Sequence, residues 1–280
     1  MGSAIPTLVL NDGLSLPAIG LGTYSLKGSA GVDAICTAIE LGYRLLDSAY
    51  NYENEGTVGE AVRRSSVPRD ELRITSKLPG RYHTYEKAVT AIQESLYRAH
   101  LDYYDLYLIH WPNPQQGHYV EAWQALIDAK RWGLVRSIGV SNFLPEHIER
   151  LERETGVLPS VNQIELHPFF NQASQRQWHE AKGIVTESWS PLFRGNEILQ
   201  HEVIQQIANQ HQKSAAQVVL RWHYQLGAIS IPKSGNRQRQ LDNLSIFDFS
   251  LDEAEMNQIS QLTRQDGRIR NQDPAVYEEF

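Results

Sequence analysis

The sequence has only one cysteine, Cys36, in 280 residues, which excludes an internal disulfide. A lone cysteine is typical of proteins in a reducing compartment, so we expect a cytoplasmic location. No apolar stretch approaches the roughly 20 residues that a membrane helix requires. The segment MGSAIPTLVLNDG also lacks the basic and apolar regions of a signal peptide. A membrane partner and secretion are therefore not expected.

Positive charge is scarce as well. The chain carries 26 Lys and Arg against 33 Asp and Glu, which gives a net charge of −7. Nucleic acids and anionic membranes attract basic surfaces, so neither is an expected partner. Linkers, solenoid repeats and low-complexity tracts are absent from the sequence, and its 41% of hydrophobic residues is ample for one core. We expect one domain over residues 1–280.

Eight short apolar runs, each ending on polar or reactive residues, are the main feature that the sequence does contain. They are rich in Ile, Leu and Val with little strict alternation, which is typical of parallel strands buried on both faces. Helical segments separate them, and eight such units in 280 residues predict an α/β fold, the (β/α)8 TIM barrel. The runs are AIGLGT (18–23), YRLLDS (43–48), LRITSK (72–77), DLYLIH (105–110), VRSIGVSN (135–142), VNQIE (161–165), GIVTESW (183–189) and AISIPKS (228–234).

Further segments complete the predicted barrel. Residues 7–17 indicate an N-terminal β-hairpin around an Asp-Gly turn, placed to close the N-terminal end of the barrel. Two extra helices, 197–212 and 251–262, fall outside the strand–helix alternation, and the tail 263–280 is polar and aperiodic. The helices expected between strands cover 30–41, 56–64, 85–100, 118–131, 145–154, 172–182, 214–225 and 236–244.

Reactive side chains stand at the ends of three neighbouring strands. Asp47 ends the second strand, Lys77 the third and His110 the fourth, and Tyr52 follows Asp47 by five residues. Neighbouring strands lie about 5 Å apart, and strand ends form the active site of such barrels. A nearby ammonium lowers the pKa of a tyrosine, which predicts that Tyr52 exchanges a proton near neutral pH. A neighbouring His would orient the reacting oxygen.

Proton donation to a carbonyl oxygen is one half of a carbonyl reduction, and transfer of a hydride is the other half. The remaining strand ends suit a nucleotide that donates a hydride. Ser141, Asn142 and Gln163 offer groups for a carboxamide, and Trp189 offers a flat face for a stacked ring. A basic cluster follows the eighth strand, where a helix begins and phosphate binds well. Its arginine favours a ribose 2′-phosphate and hence NADPH over NADH. The cluster comprises Lys233, Ser234, Asn236 and Arg239.

With these residues in place, the chain resembles the aldo-keto reductase family along nearly its whole length. The matching segments agree with the family in order and spacing, and the chain looks like its bacterial members, resembling 2,5-diketo-D-gluconate and methylglyoxal reductases. The segments are GLGTY (20–24), GYRLLDSAYNYENEGTVGEA (42–61), ITSKL (74–78), DLYLIHWP (105–112), IGVSNF (138–143), VNQIELHP (161–168), SWSPL (188–192) and IPKS (231–234) with Asn243.

The resemblance implies NADPH-dependent reduction of aldehydes or ketones by a monomer. Its implied substrates are small carbonyls, dicarbonyls or keto-sugars. Tyr52 would be the general acid of a catalytic tetrad completed by Asp47, Lys77 and His110. The residues expected to contact the cofactor are Gly22, Thr23, Asp47, Ser141, Asn142, Gln163, Trp189, Ser190, Leu192, Lys233, Ser234, Asn236, Arg239 and Asn243.

The chain departs from the family pattern in three places. Ser48 replaces the usual Thr after the tetrad Asp and keeps its hydroxyl, LPGRYH (78–83) replaces the bulky aromatic residues of mammalian members, and the loop after His110 is short. The residues that line the substrate pocket in the family therefore cannot be assigned reliably to positions of this chain. The lining that we expect consists of Tyr24, His110, Trp111 and the tail from Arg270 to Tyr277.

Other interpretations compete with a reductase. A binding or sensing protein would keep the cofactor site without turnover, but the intact tetrad disfavours it. A metal hydrolase would use Glu165, His167 and His110 as ligands. Such hydrolases carry His-x-His on an early strand, which this sequence lacks, so we expect no metal. Cys36, in the helical segment AICTAIEL, is expected to be a buried structural thiol.

Overall fold

The computed structural model describes residues 5–195 and 197–280. Eight parallel strands form one sheet in sequence order, each paired with the next. Six strands lie inside one of the eight apolar runs, and β5 and β6 each extend past their run by one residue at one end. The predicted fold class is therefore confirmed. The strands are β3 (Leu21–Gly22), β4 (Leu45–Asp47), β5 (Arg73–Leu78), β6 (Tyr104–Ile109), β7 (Val135–Ser141), β8 (Val161–Glu165), β9 (Val185–Trp189) and β10 (Ile229–Ser230).

Backbone contacts between the first and last strands close the sheet. Bridges pair Ile19 with Ser230 and Gly22 with Lys233, both in parallel orientation. The amide of Gly20 donates to the carbonyl of Ser230 over 2.9 Å. Because every strand then has two neighbours, the barrel has no unpaired sheet edge within the part of the chain that the structure describes.

The predicted hairpin consists of β1 (Thr7–Val9) and β2 (Ser15–Pro17), paired antiparallel. It packs Leu10 and Leu16, which are 3% and 0% exposed, against side chains inside the barrel. The side chain of Arg73, at the start of β5, donates to the carbonyl of Ser15. The hairpin thus closes the N-terminal end of the barrel, as expected.

Eight helices follow the strands where the apolar period predicts them, and two more lie outside the alternation. The helices are α1 (Gly28–Leu41), α2 (Glu55–Arg64), α3 (Tyr85–Ala99), α4 (Tyr119–Arg131), α5 (Pro145–Thr155), α6 (Ala173–Ala181), α7 (Glu202–His211), α8 (Ala215–Gln225), α9 (Arg237–Leu244) and α10 (Glu253–Ser260). No helix among the described residues is long and apolar enough to cross a membrane.

The extra segment 197–212 is not one helix, contrary to the sequence prediction. It forms a 3-10 turn, Ile198–Gln200, and then α7. His201 between them has an extended backbone (φ −64°, ψ 132°), and its Nδ1 accepts a hydrogen bond from the amide of Val203. An N-cap inside the apolar pattern therefore splits the segment, because a side chain that satisfies the first amides of α7 starts a new helix.

Helix α2 packs on the C-terminal end of α3 through two glycines. A Cβ at Gly59 would lie only 1.8 Å from the carbonyl oxygen of Ala99, whereas one at Gly56 would lie 3.2 Å from the carbonyl oxygen of Arg98. A backbone carbonyl cannot move out of the way as the end of a flexible side chain can. Close helix contact therefore requires glycine at position 59 far more than at position 56.

We expect Gly59→Ala to lower the free energy of unfolding by about 2 kcal/mol, the usual cost of overpacking. Gly56→Ala, in the same helix, is the matched control, and we expect it to be nearly neutral because alanine also favours helix by about 1 kcal/mol. Urea unfolding of both variants measures the difference. Equal stability of the two would show that α2 moves freely away from α3.

Candidate active site

The sequence places Asp47 as the last residue of β4 and Lys77 just before the end of β5, on neighbouring strands. Their side chains form an ion pair, with 2.6 Å between Lys77 Nζ and Asp47 Oδ1. The ammonium also donates to the carbonyl oxygen of Ser48 over 2.7 Å. Both side chains are almost completely buried. The pair is therefore a fixed charge arrangement inside the barrel rim.

Tyr52 and His110 join this pair. Tyr52 ends a 3-10 turn, Tyr50–Tyr52, and Lys77 Nζ lies 5.0 Å from the centre of its ring. His110 directly follows β6, and its ring centre lies 5.9 Å from that of Tyr52. The four residues expected to form a tetrad thus gather in one cluster.

The expectation that the pKa of Tyr52 is lowered is wrong for this structure. Burial raises the pKa of Tyr52 above its ordinary value of 10, and the lowering effect of Lys77 does not compensate, in part because the charge of Asp47 also raises it. The main physical reason is burial, which disfavours the charged phenolate, and the charge of Asp47 offsets part of the effect of the ammonium. Tyr52 is consequently a neutral phenol that holds its proton at physiological pH.

Asn54 is a structural residue of this cluster that the sequence analysis missed. It accepts a hydrogen bond from the Ser48 hydroxyl over 2.7 Å and donates to the carbonyl oxygens of Thr23 and Leu26. The serine at position 48 therefore keeps a hydroxyl function, as expected. Asn54 comes just before α2, and a polar residue in that position predicts a helix N-cap. Its actual partners, the carbonyls of Thr23 and Leu26, lie on another loop and cannot be predicted from the sequence.

The amide-bearing residues at the ends of the later strands form a second network beside the cluster. Trp189 Nε1 donates to Asn142 Oδ1 over 2.7 Å, and Asn142 Nδ2 donates to the carbonyl of His110 over 3.0 Å. The Ser141 hydroxyl donates to the carbonyl of Gln163. Gln163 Nε2 donates to Asp47 Oδ2 over 2.9 Å, so the network is joined to the Asp47–Lys77 pair.

Glu187 on β9 belongs to the same network and was not singled out from the sequence. Its Oε2 accepts a hydrogen bond from Gln163 Nε2 over 2.8 Å, and Gln163 therefore bridges two carboxyl groups. Burial, followed by the charge of Asp47, raises the pKa of Glu187 to about 8. Because the Asp47 carboxylate, paired with Lys77, can only accept a hydrogen bond, it fixes which end of the Gln163 side chain faces it. The side-chain carbonyl oxygen of Gln163 has no hydrogen-bond partner among the described residues and can bind another group.

The basic cluster lies where predicted, at the start of α9. Lys233 pairs with Gly22 in the barrel closure, and Asn236 caps α9 by accepting from the amide of Arg239. Lys233 and Arg239 are exposed, and neither lies within 4 Å of a carboxylate in the described residues. Ser234 is buried and its hydroxyl contacts Asn236. Unpaired cations at a helix N-terminus suit a phosphate.

The remaining predicted contacts take different positions. Thr23 is fully buried and donates to the carbonyl of Asp47, while Asn243 is buried on α9 beside the Tyr43 hydroxyl. Ser190 has a left-handed backbone (φ 47°). Leu192 is half-buried in the core around α7 and α8. Thr23, Asn243 and Leu192 therefore pack within the wall of the barrel rim.

The expected substrate lining is drawn from two sides of the rim. Tyr24 is 64% exposed and packs edge-on against Tyr52, with 5.2 Å between ring centres. Trp111 is buried, and its ring centre lies 4.4 Å from that of Tyr277 in the tail. The part of the tail expected to line the pocket ended at Tyr277. Two residues further on, Glu279 contacts His110, which the sequence analysis missed.

Two of the three residues that a metal hydrolase would use, Glu165 and His167, contact each other. His167 Nε2 lies 2.8 Å from Glu165 Oε1, which also accepts from the amide of Ile269. Among the described residues no group of three His, Cys, Asp or Glu side chains is arranged to hold a metal. Cys36 is half-buried rather than buried as expected, and it packs against the main core beside α2.

Comparison with known proteins agrees with this geometry. The model of the aldo/keto reductase family matches residues 18–264, and the chain belongs to that family. The 2,5-diketo-D-gluconic acid reductase B of Corynebacterium sp. is 52% identical over 276 residues, 99% of each chain. The methylglyoxal reductase DkgA of Yersinia pestis is 44% identical over 273 residues, 97% of each chain.

Solved structures show the same fold. A crystal structure of a Gox0644 mutant in complex with NADPH has a TM-score of 0.94 and 43% identity, and the match covers 99% of this chain and all of that one. An aldo/keto reductase from Brucella melitensis has a TM-score of 0.89 and 43% identity, over 92% of this chain and 99% of that one. The predicted family is therefore confirmed.

The raised pKa of Glu187 gives a prediction for stability. The carboxyl group stays protonated in the folded chain up to a pH of about 8, whereas in the unfolded chain it ionises above the ordinary value of 4.5. Between these values the folded state binds the extra proton, so stability falls as pH rises, with a slope on the order of 1 kcal/mol per pH unit. Glu187→Gln should remove this slope.

Urea unfolding of the wild type and of Glu187→Gln at pH 5, 6, 7 and 8 measures the effect. Exposed Glu154 on α5 provides the control substitution, Glu154→Gln, which should leave the pH dependence almost unchanged. Parallel stability profiles for the wild type and Glu187→Gln would mean that Glu187 is ionised in the folded protein.

Proposed function

We propose that the chain is an NADPH-dependent reductase of aldehydes and ketones in which Tyr52 donates the proton. The observation that carries this proposal is the buried cluster of Tyr52, Lys77 and Asp47, connected through Gln163 to the amide-bearing strand ends. A neutral phenol beside an ammonium both has a proton to give and has its resulting anion stabilised.

The donor set of the rim fits the cofactor. The free carbonyl oxygen of Gln163, with Ser141 and Asn142, suits a carboxamide, and Trp189 suits a stacked ring. The unpaired cations at the start of α9 suit the phosphates. NADPH, when bound, supplies the hydride for carbonyl reduction. The NADPH complex of a neighbour with a TM-score of 0.94 supports this assignment.

The chain's own residues then handle the proton. Tyr52 donates it to the carbonyl oxygen, Lys77 stabilises the phenolate that remains, and Asp47 keeps Lys77 charged and in place. His110 orients the carbonyl oxygen by hydrogen bonding. Proton transfer of this kind requires no metal.

We propose small aldehydes, dicarbonyls such as methylglyoxal, or keto-sugars such as 2,5-diketo-D-gluconate as substrates. The support is the naming of relatives that are 52% and 44% identical over nearly their whole length. We further propose that the chain is cytoplasmic, on the basis of its lone cysteine. We propose a single domain because one family model spans residues 18–264, and a monomer because the family resemblance implies one.

The proposal predicts that Tyr52→Phe lowers the rate of carbonyl reduction by about 10²–10⁴-fold, because a general acid contributes this much. NADPH binding should persist, since only a hydroxyl is removed. The test follows NADPH absorbance with methylglyoxal, phenylglyoxal, a nitrobenzaldehyde and a diketo-sugar acid, and NADPH binding by fluorescence.

Tyr97→Phe is the control, because Tyr97 is 67% exposed on α3 and should leave the rate unchanged. A near-normal rate for Tyr52→Phe would sink the assignment of the acid. NADPH binding by the wild type without turnover on any carbonyl would favour a sensing protein that keeps the cofactor site.

Arg239 is predicted to set the preference for the 2′-phosphate. Arg239→Gln should raise the Kd of NADPH by about 10-fold or more, the effect of losing a charged contact to phosphate, while the Kd of NADH changes little. Arg237→Gln, two residues away and also exposed, is the matched control and should have a smaller effect. Equal losses for both cofactors would place Arg239 away from the 2′-phosphate.

A further inference from the structure

A fully buried carboxyl group lies among the strand ends without a full set of partners. Glu187 on β9 is 0% exposed, and its Oε1 has no hydrogen-bond partner among the described residues. Its Oε2 accepts the single hydrogen bond that those residues give to this carboxyl group, from Gln163 Nε2 over 2.8 Å. Burying a polar group with so few partners lowers stability. Stability therefore does not account for a carboxyl group at this position, and its one contact points to Gln163.

Strand pairing determines where Glu187 lies. Gln163 and Glu187 are directly paired on the neighbouring parallel strands β8 and β9. Side chains alternate between the two faces of a strand, so Glu187 shares a face with Val185 and Trp189. Both of these pack against the hydrophobic cluster inside the barrel. Glu187 therefore lies inside the barrel, one layer below the Trp189 ring that suits stacking.

Both hydrogens of the Gln163 side-chain amide are used inside the barrel. Nε2 donates to Asp47 Oδ2 over 2.9 Å and to Glu187 Oε2 over 2.8 Å. A primary amide has only two N–H hydrogens, so this end of Gln163 has no further donor. The bond to Glu187 does not depend on the charge of that residue, because a carboxyl group keeps an acceptor oxygen whether it is ionised or protonated.

We propose that Glu187 is a positioning residue that fixes the plane of the Gln163 amide for the carboxamide of NADPH. A single bond to Asp47 would set which end of the amide faces inward but would leave the amide free to turn about that bond. Two bonds in different directions hold its plane as well. The free carbonyl oxygen then keeps one direction, which lowers the ordering cost of binding a donor. This inference rests on the proposed reductase function for the identity of its ligand.

Other polar groups at these strand ends do not replace Glu187. The Ser141 hydroxyl donates to the backbone carbonyl of Gln163 and not to its side chain. The Asn142 amide donates to the carbonyl of His110, and its Oδ1 accepts from Trp189. Within the described residues, only the two carboxyl groups therefore hold the Gln163 side chain.

The direct test follows the two side-chain amide hydrogens of Gln163 by NMR of protein labelled with ¹⁵N-glutamine, with their signals assigned by their loss in Gln163→Leu. We expect Glu187→Leu to move one of the two signals upfield, because that hydrogen loses its acceptor. Thr186→Val is the matched control, since it removes a hydroxyl of the same strand that contacts His179, and it should leave both signals in place. Two unmoved signals in Glu187→Leu overturn the proposal.

Cofactor binding, measured by fluorescence, gives the second readout. The reduced 3-acetylpyridine analogue of NADPH has a methyl group in place of the carboxamide NH2, so it cannot donate to the Gln163 carbonyl oxygen. We expect Glu187→Leu to raise the Kd of NADPH by about 5–10-fold, roughly the effect of one hydrogen bond, and the Kd of the analogue much less. Glu187→Gln should recover most of the NADPH affinity, because its carbonyl oxygen can accept from Gln163. Equal losses for both ligands, or no loss for either, refute the positioning role.

The two readouts separate this proposal from the reductase function. If the wild type binds no NADPH, the reductase proposal fails, while the amide signals still decide whether Glu187 holds Gln163. If the wild type binds NADPH and reduces carbonyls, but Glu187→Leu prefers NADPH to the analogue as strongly as the wild type does, the reductase proposal stands and the role of Glu187 is refuted. Thermal unfolding confirms that each variant is folded.

Discussion

The buried ion pair between Lys77 and Asp47 is the interaction on which the rest of the rim depends. Both side chains are withdrawn from solvent, and removing one partner would leave an uncompensated charge that costs about 3–5 kcal/mol. The pair is tolerable because further groups satisfy its atoms, namely the Ser48 carbonyl and the Gln163 amide. Tyr52 lies over the ammonium, so its position and protonation follow from the pair as well.

Strand register explains why residues far apart in sequence meet at one height. Gly22 pairs with Asp47, and Gln163 pairs with Glu187, so side chains at these strand ends share a layer of the barrel. The closing bridge from Gly22 to Lys233 then brings the start of α9 back to the first strand. A closed barrel therefore places the basic cluster and the buried ion pair on the same rim without any long connecting element.

The eight strands, the hairpin and most helices could be predicted because apolar periodicity and strand-end polarity are local signals. The tetrad residues could be predicted because Asp47 and Lys77 lie at strand ends, His110 directly follows a strand, and Tyr52 comes five residues after Asp47. Glu187 was missed because it lies inside an apolar run. Its place in the site can be recognised only through its partner Gln163 on the neighbouring strand β8. Glu279 escaped because an aperiodic tail carries no signal for where it docks, and Asn113 and Gly80, which fix it, are distant in sequence.

The rim separates its charges into two pairs, each a base with a carboxylate. Lys77 has Asp47 from the neighbouring strand, whereas His110 has Glu279 from the end of the chain. The first pair is built into the barrel and holds its charge through strand pairing. The second depends on a tail anchored by Asn113, so the contact between Glu279 and His110 is tied to the docking of that tail. Tyr52 lies between the pairs, and a raised pKa at that phenol is what two flanking carboxylates and burial together require.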